Sequence, residues 1–152
     1  MKKIVLAGFL LAGIMGANAQ TIRLVAATAT SNPTQAGGTS VNVGAFAGNT
    51  NTTNTGSGNV FVGFNAGKNN TTGNSNVFTG ASAGSSNQSG SSNVFTGDSA
   101  GSYSTGSFNV FTGNSAGLNN TGSKNVFVGN QSGRQNLGGN NNYFYWIGCW
   151  YK

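Results

Sequence analysis

One carboxylate, Asp98, one thiol, Cys149, and no histidine make up nearly all the acid–base and nucleophilic chemistry in these 152 residues. General acid–base catalysis needs a second titrating partner, a triad needs a base beside its nucleophile, and a metal centre needs several converging ligands. None of these sets can be assembled, so no catalytic, cofactor-binding or metal-binding residue is nominated and the chain does not read as an enzyme. Calcium-binding nonapeptide repeats require a carboxylate in each turn, and Asp98 alone does not supply a series. What recurs instead is chemically quiet: asparagine at 59, 76, 93, 109 and 125, and threonine at 79, 96 and 112.

The repetition is a block nine letters long. "NVFTGDSAG" from Asn93 returns as "NVFVGFNAG" from Asn59, "NVFTGASAG" from Asn76 and "NVFTGNSAG" from Asn109, with a further copy from Asn125. The step from one start to the next is nearly constant, and "SVNVGAFAG" from Ser40 is a divergent first copy. All length variation falls in the Asn/Ser/Thr/Gly-rich return between blocks, where loops tolerate it.

Each block reads as a strand and a tight corner. Valine and phenylalanine favour strands, Gly63, Gly80, Gly97, Gly113 and Gly129 end them, and "SAG" or "NAG" supplies small residues for the bend. The "TG" or "SG" of the return reads as a turn in which glycine takes positive φ. A strand and two turns in each repeat, roughly 16–17 residues, make one coil of an all-β repeat solenoid, a parallel β-roll spanning 40–139, with the blocks paired above one another.

Period-two alternation puts Val60, Val77, Val94, Val110 and Val126 on one side with Val62, Thr79, Thr96, Thr112 and Val128. Phe61, Phe78, Phe95, Phe111 and Phe127 take the other. A strand apolar on both sides is normally covered on both, so the reading preferred has the outward side buried against another copy of the chain. The alternative fills the coil with phenylalanine and leaves valine and threonine outside. Asn59, Asn76, Asn93, Asn109 and Asn125 form either a side-chain ladder or a row of turn residues.

The pattern "N-V-F-[VT]-G-x-[NS]-A-G-x-N-x-T-G-S" resembles the Gly/Asn-rich repeats of exported surface proteins of Bacteroidota and of some phage tail fibres. More loosely it is similar to the head repeats of trimeric autotransporter adhesins. That resemblance, over roughly 40–133, implies a trimeric β-roll whose outward strand face meets the threefold axis, a place suited to the Phe ladder. It also implies adhesion or fibre formation.

Residues 1–19 read as a secretory signal peptide, a helical leader with Lys2 and Lys3, the apolar "IVLAGFLLAGIMG" and the small-residue site "ANA". The apolar run is shorter than the roughly 20 residues of a bilayer span, so no membrane span is expected in the mature chain, which is secreted or held at the cell surface. Five basic residues remain after cleavage, Arg23, Lys68, Lys124, Arg134 and Lys152. They are scattered singly, unlike a nucleic-acid surface. Residues 20–39, with one strand-like piece before Pro33, form an N-terminal cap or a linker.

The tail, 140–152, departs in composition: "YFYWIGCWYK" holds both tryptophans, three of the four tyrosines and the only cysteine. Asn142 stands one repeat beyond Asn125, where another block is due. Read one nucleotide later, the codons of Tyr143 to Tyr151 fit such a block, with glycine forced at 146 and 150. A slip of the reading frame near Asn142 is the reading preferred; an aromatic cap is its rival.

The function expected is that of an exported structural or adhesive repeat protein, part of a surface fibre or adhesin head, homotrimeric and presenting its length to an extracellular or surface ligand. The alternative is a functional-amyloid subunit whose stacking continues between molecules. Ice binding by Thr79, Thr96 and Thr112 ranks third, because Val62 and Val128 interrupt the row. The Asn-x-Thr triplet at Asn70 matches a glycan acceptor but is expected by chance in this composition.

Overall fold

A computed structural model describes residues 22–24, 40–48 and 55–145. The expected signal peptide, most of 20–39 and the two tryptophans lie outside the described residues. Eight short strands follow one another: β1 Ile22–Leu24, β2 Val41–Val43, β3 Val60–Val62, β4 Val77–Thr79, β5 Val94–Thr96, β6 Val110–Thr112, β7 Val126–Val128 and β8 Tyr143–Tyr145. All pair in parallel and in sequence order within one sheet. The register sets Val60 on Val77, Phe61 on Phe78 and Val62 on Thr79, and repeats coil after coil. The protein is an all-β solenoid of about 17 residues per coil.

The core is a file of rings. Phe61, Phe78, Phe95, Phe111 and Phe127 are fully buried and stack with centroids 4.7–5.1 Å apart. Ala47, Ala66, Ala83, Ala100 and Ala116 form a second buried file beside them. The Phe ladder is therefore inside the coil and the Val/Thr side is outside, the reverse of the arrangement offered to a threefold axis. Space decides it: a Cβ on Gly67 would stand 2.6 Å from the Phe61 ring, and the corner glycines of the following coils sit equally tight on their own rings. The "AG" of each corner is small because a phenyl ring of the same coil fills that volume.

The return glycines also differ from expectation. Gly90 has no positive φ; a Cβ there would run into the Gly106 carbonyl of the next coil and the Asn87 side chain. Close approach of coils, not a left-handed turn, requires glycine. The left-handed conformation falls two positions later, on Gly58, Ser75, Ser92, Phe108, Lys124 and Asn141, with φ of 56–68°. Phenylalanine is the costly member of that file, and Phe108 is 59% exposed, so its ring returns little packing. Phe108→Gly is expected to raise stability by about 1 kcal/mol, measured as the shift in a urea midpoint at constant m value.

At the two ends the repeat is modified. Asn42 takes the inward place of phenylalanine in β2, paired with Phe61. β1 extends the sheet beyond it, so the strand-like piece of 20–39 joins the roll. At the other end Phe144 stacks on Phe127 at 5.2 Å, and Tyr143–Tyr145 keep the register of the blocks before them. Here the residues as written continue the coil through Tyr145.

Candidate functional surface

A coil this thin holds its surface in place with polar side chains. The backbone N–H of Asn76 donates to Oδ1 of Asn59, and the relation repeats from Asn93 to Asn76, Asn109 to Asn93, Asn125 to Asn109 and Asn142 to Asn125, all at 2.9–3.0 Å. The same carboxamides donate through Nδ2 to the return of their own coil: Asn59 to the Gly73 carbonyl, Asn76 to Gly90, Asn93 to Gly106, Asn109 to Gly122 and Asn125 to Gly139, at 2.8–3.0 Å. Each asparagine thus closes one coil and seats the next. The ladder reading of these five residues holds over that of simple turn residues.

Two further polar files escaped the sequence reading. Ser57, Asn74, Ser91, Ser107, Ser123 and Asn140 follow the return glycines. The backbone N–H of Asn74 donates to Ser91 Oγ, Ser91 to Ser107 and Ser107 to Ser123, each at 3.0 Å. Asn70, Asn87, Ser104 and Asn120 are fully buried in the return. Asn70 Nδ2 donates to the Gly73 carbonyl at 2.9 Å and Asn120 Nδ2 to the Gly122 carbonyl at 2.6 Å. These enclosed carboxamides are committed to the fold. The recurring "S" after "TG" and the recurring "N" shortly after "AG" carried the signal, but in an Asn/Ser-rich return it looks like loop composition.

With phenylalanine and asparagine turned inward, the surface belongs to other residues. The strand face presents a valine file, with Val41, Val77, Val94 and Val110 each 37–39% exposed, beside the file Val43, Val62, Thr79, Thr96, Thr112 and Val128. No charged residue lies in either file. Charges sit outside β2 to β8: Asp98 Oδ2 accepts from Asn114 Nδ2 at 3.2 Å, Arg134 Nη1 donates to Gln131 Oε1 at 3.4 Å, and Lys68 Nζ lies 5.8 Å from the Phe46 ring centroid. Phe46 in turn meets Phe64 edge-on at 5.9 Å.

Among the described residues there is no group of histidine, cysteine, aspartate or glutamate able to hold a metal ion. No helix there is long and apolar enough to cross a membrane. The chemistry available is that of a regular, mostly uncharged surface on a stiff support. Comparison with protein-family models, with curated proteins and with solved structures gives no match to this chain.

Proposed function

We propose that the chain is an exported structural or adhesive repeat protein, the rod of a surface fibre or adhesin head. The observation that carries this reading is the unbroken pair of columns, Phe61 to Phe144 and Asn59 to Asn142, along β3 to β8. The Phe file, the Asn ladder and the serine hydroxyls of the returns are spent on stacking coils, and stacked repeats are a way of building length and surface. The leader-like segment 1–19 supplies the route out of the cell. A homotrimer is the assembly this reading expects. The enclosed Phe column is not the seam of that assembly; a surface ligand would be met by the returns, through many weak polar contacts summing along the rod.

The test is expression with the chain's own leader in a bacterial host. Cleavage before Gln20, protease access on intact cells and a discrete oligomer in sedimentation are the expected results. Retention in the cytoplasm with segment 1–19 still attached overturns the reading. A functional-amyloid subunit is the second reading, favoured by β8, where every residue is exposed and Phe144 reaches 47%. An open strand edge is a template for a further chain. Growing fibres that bind thioflavin, in place of a discrete oligomer, would decide for it.

A further inference from the structure

The outward strand face is regular, each coil setting its outward residues directly over those of the next. On the inward side, the ring planes of Phe78, Phe95, Phe111 and Phe127 differ by 6°, 3° and 7° from one coil to the next, and those of Phe61 and Phe78 by 20°. The centroid steps from Phe78 to Phe127 are 4.7, 4.7 and 4.9 Å. On the opposite side of those strands stand Val77, Val94, Val110 and Val126, and beside them Thr79, Thr96, Thr112 and Val128. Two outward residues of one strand are about 6.6–6.8 Å apart. The face is a rectangular grid of methyl and hydroxyl groups without charge.

A protein partner fits this face poorly. Five strands about 5 Å apart and two outward residues wide offer on the order of 300 Å², against roughly 800 Å² per partner in a stable interface. A periodic ligand is different, because each coil repeats the same small contact and the sum grows with the number of coils in register. The grid is held by backbone pairing and the Asn ladder before any ligand arrives, so little ordering of the protein opposes binding.

We propose that the Val/Thr face of β3 to β7 binds ice, taking ordered water as its ligand. Threonine hydroxyls hydrogen-bond lattice water, while the methyl groups of both residue types are too weakly solvated to hold water in a competing arrangement. Valine and threonine share one outline. Val62 and Val128 therefore continue the methyl grid and end only the hydroxyl row, which occupies β4 to β6. Charged side chains, which orient water radially around themselves, are absent from the face. Backbone N–H and C=O groups within it are occupied by the strand ladder.

The experiment is nanolitre osmometry on the mature chain, with Thr96→Lys at the centre of the grid and Ser89→Lys on the exposed return as control. Circular dichroism of each variant checks that the roll is intact. The expected result is thermal hysteresis rising with concentration and faceted crystals, both lost in Thr96→Lys and kept in Ser89→Lys. Rounded crystals without hysteresis from the unaltered chain overturn the proposal, as does full activity in a folded Thr96→Lys. Neither outcome depends on export or on fibre assembly, which are read separately by processing and sedimentation.

Discussion

Phe95→Ala is expected to lower stability by about 3–5 kcal/mol. The ring is fully buried, with Phe78 and Phe111 each 4.7 Å away and nearly parallel to it. Backbone pairing fixes the coil spacing on either side, so the walls cannot close on the vacated volume, and the cavity contribution is retained along with the lost transfer free energy. Two offset ring contacts are lost as well. The control is Val94→Ala in the same strand. Val94 is 38% exposed on the opposite face, and less than about 1 kcal/mol is expected there, in line with ordinary surface changes. Urea unfolding of the two variants reads the difference. Equal losses would mean that the inward and outward sides have been assigned wrongly. Because each coil touches only its neighbours, Phe95→Ala should also split the transition into two halves.

Asn93→Leu is expected to cost about 2–6 kcal/mol. Leucine leaves the Asn109 N–H and the Gly106 carbonyl without their partners at 2.9 and 3.0 Å, and each buried orphan costs roughly 1–3 kcal/mol. Asn93→Asp separates the two roles. An ionised carboxylate still accepts from the Asn109 N–H but opposes the Gly106 carbonyl, whereas the protonated acid accepts on one oxygen and donates on the other. Burial and the facing carbonyl both raise the folded-state pKa of this introduced acid. The folded variant then binds more protons than the unfolded one. Its stability is greatest below the unfolded carboxyl pKa and is lost as pH rises through the folded one. Thermal melts of Asn93→Asp across the acidic to neutral range should show this fall, with no matching fall in the unaltered chain. A pH-independent loss in Asn93→Asp would place the carboxamide outside the ladder.

Legibility in the sequence followed the repeat. Val77, Phe78 and Thr79 lie over Val94, Phe95 and Thr96 because identical blocks at nearly constant spacing have one way to pair all their backbone groups, and that was readable from the spacing alone. The Asn59 to Asn125 ladder was readable as a possibility; its two bonds per residue were not, since the Gly73 and Gly90 carbonyls that complete them lie in returns of ordinary loop composition. The buried Asn70 and Asn120 were invisible for the same reason.

Which apolar side of the strand faces inward was undetermined in the residues, because alternation separates two sets without ranking them. Valine, threonine and phenylalanine are all acceptable on either side of a strand. The tertiary structure decided it by volume: the coil is closed by corners of alanine and glycine, and the space left beside Gly67, Gly84, Gly101, Gly117 and Gly133 is that of a phenyl ring. Composition and spacing thus determined a stack of parallel β coils. Only the closed coil determined that the phenylalanines of the strands are core and that a Val/Thr grid is the surface opposite them, because the available space exists only once the chain has come round upon itself.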